Sequence, residues 1–402
     1  MRCYWNWNIL FWMFLIVIPQ GVLILFKAPW NVNQTIKIKK AELNLSNVNI
    51  SHNKPRLNVI ILTHQGSGSS FIGNLFSLHP EVFYLFEPLS GLREEAYKDM
   101  DSPSKRTFLD KKTMDAYKID FSNLLWDFFG CKFKRRKTIE HLFPKWLRNE
   151  LKNNIVAWGN GNTNLTQETM RKVCNSRRIT VVKIMQYRLP DEIGISELQR
   201  VCSSEPTQFE CLTIHLVRDP RAVLWSVIHR KFFLRNAADR RLVSLRNTPR
   251  EGKEFVMRYT RRLCSLSEKN LNYVNAEGQN WLKGRYILVR YEDTPGDLFR
   301  TVVRMYNFTG LSMDSSIKKW ILRGKSPDVK NPKPEFHISK KDVKKIEHWR
   351  FKMDTLLVTA IEEECWPLMY MMGYRSINGS KSLQNNASEK LRTEKIPFPF
   401  PQ

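Results

Sequence analysis

Short apolar runs recur along the chain and alternate with stretches in which apolar residues follow helical spacing. Residues 57–63 (LNVIILT) form a continuous apolar run, which is typical of a strand buried on both faces. Similar runs lie at Val82–Phe86, Ile179–Met185, Leu212–Val217 and Tyr286–Val289. Most of the intervals between these runs are long enough to hold a helix. The alternation predicts an α/β fold, a central parallel sheet flanked by helices.

The remaining segments predict how far the folded domain extends. The interval 94–178 is long, charged and mixed, and we expect helices with an irregular insertion there. Asp342–Arg350 and Asp354–Met371 have helical spacing. Residues 376–402 are rich in Ser, Asn and Lys and end in PFPFPQ, which predicts a disordered tail. We therefore expect the folded domain to span residues 57–375.

The amino-terminal region predicts a membrane anchor. Residues 9–26 (ILFWMFLIVIPQGVLILF) contain no charged side chain, and 18 such residues just cross a bilayer, so residues 1–8 become a cytoplasmic tail. Residues 27–56 have no sustained periodicity and are interpreted as a flexible lumenal stem. A cleaved signal peptide is the alternative, although no small-x-small cleavage site follows the apolar run.

Glycosylation motifs favour a lumenal location for the carboxyl side, which makes the chain a single-pass type II protein. Asn-x-Ser/Thr begins at Asn33, Asn44, Asn49, Asn164, Asn307, Asn378 and Asn386. Three of these motifs crowd the segment that directly follows the apolar run. The distribution of Lys and Arg around the run argues weakly for the opposite orientation.

The cysteines also favour the lumen. Six follow the apolar run, at Cys131, Cys174, Cys202, Cys211, Cys264 and Cys365, and an even number suits disulfides in an oxidising compartment. Proximity along the chain suggests only the pairing of Cys202 with Cys211. Buried free thiols are the alternative.

The strong positive charge predicts an anionic partner but does not identify its class. There are 65 Lys and Arg against 39 Asp and Glu, a formal net charge of +26, which attracts nucleic acid, acidic glycans and anionic nucleotides alike. The apolar span, the glycosylation motifs and the lack of a basic helix with interleaved aromatics argue against a nucleic-acid partner. No Cys-x-x-Cys or His-x-x-His pattern indicates a metal site.

A glycine- and serine-rich loop follows the first predicted strand. Gly66-Ser67-Gly68-Ser69-Ser70 leads directly into a stretch with helical spacing, so free helix amides and hydroxyl groups are available to an anion. The arrangement predicts a phosphate-binding loop, although similar loops occur in proteins that bind nothing. It is not the Walker pattern, because no Gly-Lys-Ser/Thr follows.

A second candidate segment follows the strand that begins at Leu212. Asp219 is placed to cap a helix that Pro220 opens, which leaves Arg218 at the carboxyl edge of the sheet and Ser226 two turns along the helix. Ligands bind at this edge in open α/β sheets, and a guanidinium suits a phosphate. A surface Arg–Asp pair is the alternative interpretation.

Together, these segments resemble the Golgi carbohydrate sulfotransferases of the branch that sulfates the 6-hydroxyl of galactose, N-acetylgalactosamine or N-acetylglucosamine. The resemblance covers roughly residues 57–375. The matching blocks, in the order found in the family, are Gly68–Phe71, Val82–Leu89, Val217–Val223, Arg290–Asp293, and Cys365 with Gly373-Tyr374.

The resemblance implies a donor, 3′-phosphoadenosine 5′-phosphosulfate (PAPS), and a glycan acceptor in the Golgi lumen. The residues that would hold the 5′-phosphosulfate are Gln65, Gly66, Ser67, Gly68, Ser69, Ser70 and Phe71. Arg218 and Ser226 would hold the 3′-phosphate, and Glu87 would be the general base that takes the proton of the sugar hydroxyl. The alternative for Glu87 is a helix-capping or ion-paired carboxylate with a structural role. No metal is required.

One departure from the family pattern bears on catalysis. Members usually carry Arg or Lys at the position of Gly66, and a missing donor of this kind commonly costs about 10²- to 10³-fold in rate. His64 or Arg93 would be the substitute. The alternative is a catalytically inactive, glycan- or nucleotide-binding member of the same fold. Arg290, Glu292 and Asp293 are interpreted as structural ion pairs, whereas His348, Trp349 and Arg350 are candidates for closing over a ligand.

Overall fold

The computed structural model describes most of the predicted folded domain. The described residues are 55–92, 110–133, 166–190, 194–204, 208–229, 250–276, 279–294, 297–323 and 346–397. The predicted cytoplasmic tail and membrane anchor, and nearly all of the predicted stem, lie outside these ranges. Within them, no helix is both long and apolar enough to span a bilayer.

Five strands form the sheet. They are β1 (Arg56–Thr63), β2 (Val82–Phe86), β3 (Ile179–Met185), β4 (Phe209–Val217) and β5 (Tyr286–Arg290). Each coincides with one of the predicted apolar runs. The strand around Leu212 is longer than predicted because it begins at Phe209.

The sheet is parallel throughout, with the strand order β2-β3-β1-β4-β5. β1 lies at the centre, where Thr63 pairs with Met185 of β3 and with Leu216 of β4. The predicted α/β fold with a parallel sheet is confirmed. In such a sheet all strands end at the same edge, and this edge is where a ligand site is expected.

Helices connect the strands and cover both faces of the sheet. They are α1 (Ser69–Ser77), α2 (Lys111–Phe129), α3 (Gln167–Asn175), α4 (Gly194–Ser203), α5 (Pro220–His229), α6 (Arg250–Ala276), α7 (Gln279–Leu282), α8 (Leu298–Thr309), α9 (Ser315–Arg323), α10 (His348–Lys352), α11 (Thr355–Met372) and α12 (Lys381–Asn385). α11 agrees with its prediction, because Asp354 caps it by accepting from the Leu356 amide.

Each face of the sheet has its own apolar core. On one face, Ile61 of β1 and Val181 of β3 pack with Ile72 of α1 and Tyr306 of α8. The other face is larger and includes residues of α2, α4, α5, α6 and α11. Burial on both faces explains why the strands are continuous apolar runs rather than alternating ones.

The carboxyl-terminal segment corrects a prediction. Residues 376–397, expected to be disordered, are folded against the domain, with α12 and a bridge between Tyr374 and Arg392. Two buried arginines from elsewhere in the chain hold this segment by its backbone. Arg350 donates to the carbonyls of Leu383, Gln384, Asn386 and Glu389, and Arg290 donates to those of Met372, Thr393 and Glu394. The polar composition hides this order because the stabilising groups are distant in sequence.

Three disulfides lie in the described part of the chain. They join Cys131 to Cys174, Cys202 to Cys211, and Cys264 to Cys365. The predicted pair of Cys202 and Cys211 is confirmed, and the free-thiol alternative is wrong for these six cysteines. The third bond links α6 to α11 across 101 residues of sequence. Such bonds are typical of proteins that fold in an oxidising compartment.

Candidate active site

The candidate residues lie where the strands end. β1 leads into the loop that precedes α1, β2 into Glu87, β4 into Arg218, and β5 into a 3₁₀ turn that begins at Tyr291. Since β1 to β5 are parallel, all four connections leave the same edge of the sheet. Segments separated by more than 200 residues of sequence are therefore brought to one edge of the sheet.

Two glycines shape the loop. Gly66 and Gly68 have φ angles of +81° and +82°, in the left-handed region that other residues rarely adopt. A Cβ atom at Gly68 would lie 2.0 Å from Cε2 of Tyr291, and one at Gly66 would lie 3.3 Å from the Cβ of Ser226. The loop therefore packs directly on the elements that follow β5 and β4. Gly68 has no room for a side chain, and a Cβ atom at Gly66 would make tight contacts.

The start of α1 is suited to an anion. Gly68 is its N-cap, and the first amides of a helix have no partner within the helix, so they are available to a phosphate or sulfonate. Ser67 and Ser69 are buried beside the turn, whereas Gln65 and Ser70 are partly exposed. Of the predicted donor-binding residues, Phe71 differs, because its ring is buried in the core and anchors the helix.

Arg218 and Ser226 meet the same loop. Arg218 donates from Nη1 to the Gly66 carbonyl over 2.7 Å, and its guanidinium lies 4.8 Å from the centre of the Tyr291 ring. Its Nε is buried, lies 3.8 Å from a Glu292 oxygen and has no hydrogen-bond partner among the described residues. The structure thus joins two segments that the sequence proposed separately.

A buried polar network lies next to Arg218 and includes Asp219, Glu292 and Tyr374. Asp219 caps α5 as predicted, with its carboxylate accepting from the Arg221 amide at 2.9 Å. Glu292 accepts from the Asp219 amide and from the Tyr374 hydroxyl. Burial, together with the nearby Asp219, raises the pKa of Glu292. The predicted structural role of Arg290 agrees with its ion pair to Asp293 at 2.9 Å.

Glu87 is held in one orientation by two cations. Its Oε1 lies 3.0 Å from Lys183 Nζ and its Oε2 lies 2.6 Å from Arg188 Nη1, and the side chain is 10% exposed. Burial opposes ionisation, but Lys183 and Arg188 outweigh it and lower the pKa of Glu87. The carboxylate is therefore ionised at neutral pH. The backbone of Glu87 has a φ of +49°, an uncommon conformation for a residue other than glycine.

Sequence reasoning missed both cations. Lys183 lies in the middle of β3, and its Nζ also lies 3.4 Å from Ser70 Oγ and 3.5 Å from the centre of the Phe86 ring. Arg188 ends the 3₁₀ turn that follows β3. The sequence did hold a signal for Lys183, because a lysine inside an otherwise apolar run is costly to bury unless it is paired.

His64, one of the two predicted substitutes for a cation at position 66, is not supported. Burial lowers the pKa of His64 to about 3, so its imidazole is uncharged at neutral pH. Arg93 lies outside the described residues. The proposed closing residues near 349 are also structural, because Trp349 packs over the Arg221 guanidinium at 4.3 Å and Arg350 holds the carboxyl-terminal segment.

Comparison with known proteins adds to this geometry. The sulfotransferase domain model matches residues 203–373, which include Arg218 and Ser226. Carbohydrate sulfotransferase 1 of Danio rerio is 26% identical, over 86% of this chain and 84% of the relative. The chain therefore carries a sulfotransferase domain and is similar to carbohydrate sulfotransferases over most of its length. Human carbohydrate sulfotransferase 6 is likewise 26% identical, over 83% of this chain and 84% of its own length.

Solved structures of sulfotransferases are less similar to this chain in sequence. The sulfotransferase domain of the Synechococcus PCC 7002 olefin synthase is 18% identical, covering 78% of this chain and 96% of its own, with a TM-score of 0.38. The sulfotransferase domain of the curacin biosynthetic pathway is 14% identical, covering 78% and 97%, with a TM-score of 0.40.

Proposed function

We propose that this protein transfers the sulfonate group of PAPS to the 6-hydroxyl of galactose, N-acetylgalactosamine or N-acetylglucosamine in a glycosaminoglycan or glycoprotein glycan. The observation that carries the proposal is the continuity of the site. Arg218 and Ser226 contact the glycine-serine loop at one end, and Lys183 connects Ser70 of that loop to Glu87 at the other.

The loop and Arg218 are proposed to bind the donor. The 5′-phosphosulfate fits the glycines and the amides at the start of α1, where the helix dipole favours negative charge. The unpartnered Nε of Arg218, buried beside the loop, suits the 3′-phosphate together with the Ser226 hydroxyl. This assignment gives the buried guanidinium atom the hydrogen-bond acceptor that it otherwise lacks.

Glu87 is proposed to be the general base. It is ionised at neutral pH and therefore able to accept the proton of the acceptor hydroxyl, and its two cationic partners hold it in a fixed orientation. The five sequence blocks that resemble the 6-O-sulfotransferases support the 6-hydroxyl as the acceptor position. The disulfides and glycosylation motifs support a domain in the Golgi lumen, carried by the predicted anchor at residues 9–26.

The proposal is tested by transfer from ³⁵S-labelled PAPS with the purified full-length chain. The acceptors are chondroitin, keratan and glycans that end in N-acetylglucosamine, each paired with a version already sulfated at the 6-hydroxyl. We expect label in one acceptor class, none in its blocked version, and an NMR shift at carbon 6 of the product. Equal labelling of blocked and free acceptors would contradict the ring position.

The same experiment addresses the inactive alternative. If no acceptor is labelled although the protein binds 3′-phosphoadenosine 5′-phosphate (PAP), the chain is a nucleotide-binding member of the fold without turnover. If neither transfer nor nucleotide binding is detected, the assignment of the loop and Arg218 as the donor site is wrong.

A further inference from the structure

Lys183 is a fully buried lysine inside an otherwise apolar stretch of strand. Its side chain is 0% exposed, and its neighbours on β3 are Val182 and Ile184. An ammonium ion removed from water loses several kcal/mol of solvation, and a hydrophobic residue of similar volume is often at least as stable in such a position. The fold alone therefore does not require a lysine here, and groups of this kind are concentrated at functional sites.

The ammonium lies between the two halves of the proposed site. Nζ is 3.0 Å from Oε1 of Glu87 and 3.4 Å from Oγ of Ser70, which lies in the first turn of α1. The Phe86 ring, 3.5 Å from Nζ to its centre, closes one side and contributes a cation–π contact. Since Nζ lies between Glu87 and the first turn of α1, we expect a rotation of the lysine side chain to exchange Glu87 for a group bound at the loop.

The loop needs such a cation. Residues 65–71 contain no Lys or Arg, yet sulfonyl transfer moves negative charge onto the oxygen that leaves the sulfur. Arg188 binds the other carboxylate oxygen of Glu87, so Glu87 retains a charged partner when Lys183 turns away.

We propose that Lys183 is a catalytic residue, the cation that contacts the transferring sulfonate and the leaving phosphate oxygen of the bound donor. This inference rests on the proposed function. The same rotation removes one of the two cations that keep the pKa of Glu87 low, so the carboxylate becomes a stronger base when the donor is present.

The step balances without any further reactant. The acceptor oxygen forms a bond to sulfur while the bond between sulfur and the bridging oxygen of the 5′-phosphate breaks, and its electron pair stays on that oxygen. The acceptor proton passes to Glu87. Lys183 remains protonated throughout and stabilises the negative charge that accumulates on the leaving oxygen. The products are the sulfated sugar and PAP.

The test compares Lys183→Met with a matched control, Lys172→Met, in the full-length chain. Lys172 lies on α3 with its side chain 73% exposed, so both substitutions remove one positive charge and only one alters the site. We expect Lys183→Met to lower kcat by about 10²- to 10³-fold. PAP lacks the sulfonate, so its Kd should change less than about threefold. Lys172→Met should match the wild type in both.

A merely structural lysine gives a different pattern. It would weaken PAP binding and lower kcat together, because the loop would lose its shape, and this result would overturn the inference. So would a Lys183→Met kcat within about threefold of the wild type, because the variant would then have lost almost no interaction that forms only in the transition state. If Lys183→Met does not fold, Lys183→Gln replaces it, since it keeps a hydrogen-bond donor but not the charge.

The inference and the proposed function fail in distinguishable ways. Active wild-type protein with an equally active Lys183→Gln variant sinks the role of Lys183 and leaves the sulfotransferase assignment intact. Wild-type protein that transfers nothing to any acceptor overturns the proposed function, and with it the catalytic role of Lys183.

Discussion

Arg218 is the residue on which donor affinity is expected to depend most. Its guanidinium donates to the Gly66 carbonyl, and its buried Nε has no hydrogen-bond partner among the described residues, so it is proposed to bind the nucleotide. A hydrogen bond to a charged group contributes about 1.5–3 kcal/mol, so Arg218→Ala should weaken PAP binding about 10- to 100-fold. Calorimetry with PAP measures the change. Arg171→Ala, whose side chain on α3 is 54% exposed, is the control, and equal affinity of the two variants would contradict the assignment.

Gly66 is expected not to accept an arginine, one of the two residues that the family resemblance implies at this position. The φ of +81° costs a non-glycine residue about 1–2 kcal/mol, and a Cβ atom would lie 3.2 Å from the Val223 carbonyl oxygen. Gly66→Arg should therefore lower both Tm and PAP affinity without raising kcat. Gly284→Arg is the control, because Gly284 has a similar φ of +68° with no atom near the position of its Cβ. A gain in kcat for Gly66→Arg would show that the loop lacks its cation.

The residues that the sequence predicted are those that belong to local patterns. Gly66 and Gly68, Arg218 and Glu87 each follow an apolar run directly, so strand order alone brings them to one edge. Lys183 was missed because it lies inside a run rather than after it. Its partner Glu87 is 96 positions away along the chain, and only the pairing of β2 with β3 brings the two side chains together.

At the scale of elements, the strands were predictable and the carboxyl-terminal segment was not. A strand buried on both faces has a continuous apolar signal in its own sequence. The segment 376–397 instead owes its order to Arg290 and Arg350, which satisfy its backbone carbonyls from outside. Composition cannot reveal such support, because the stabilising groups belong to other elements.

The carboxyl-terminal segment should therefore depend on guanidinium geometry. Arg350 is 1% exposed and donates from Nε, Nη1 and Nη2 to four carbonyls, and the three donors of a lysine, all on one nitrogen, do not match this spread. Arg350→Lys should lower the free energy of unfolding by about 2–4 kcal/mol, measured in urea. Arg375→Lys, with its side chain 58% exposed, should change it by less than about 0.5 kcal/mol. Equal stability of the two variants would show that the segment does not depend on Arg350.

For the molecule as a whole, buried neutral histidines should make stability depend on pH. Burial lowers the pKa of His64 and of His215 from 6.5 to about 3. Between these values the unfolded chain binds protons that the folded protein does not, so stability falls as the pH drops below 6.5. From neutral pH to about pH 5 each histidine should cost about 2 kcal/mol.

Urea unfolding at several pH values measures this dependence. His215→Gln should remove about half of the slope contributed by the two histidines, since only His64 then remains. Stability that does not change between neutral pH and about pH 5 would mean that these imidazoles are accessible to protons in the folded state.

Glu87, at the edge where the loop, the strands and the two cations meet, is proposed to take the proton of a sugar hydroxyl during sulfonyl transfer from PAPS. This role is tested by the transfer rate of Glu87→Gln beside that of Glu210→Gln, an exposed position on β4. We expect kcat to fall about 10²- to 10⁴-fold for Glu87→Gln alone, with PAP affinity retained. A Glu87→Gln variant that transfers sulfonate as fast as Glu210→Gln would contradict it.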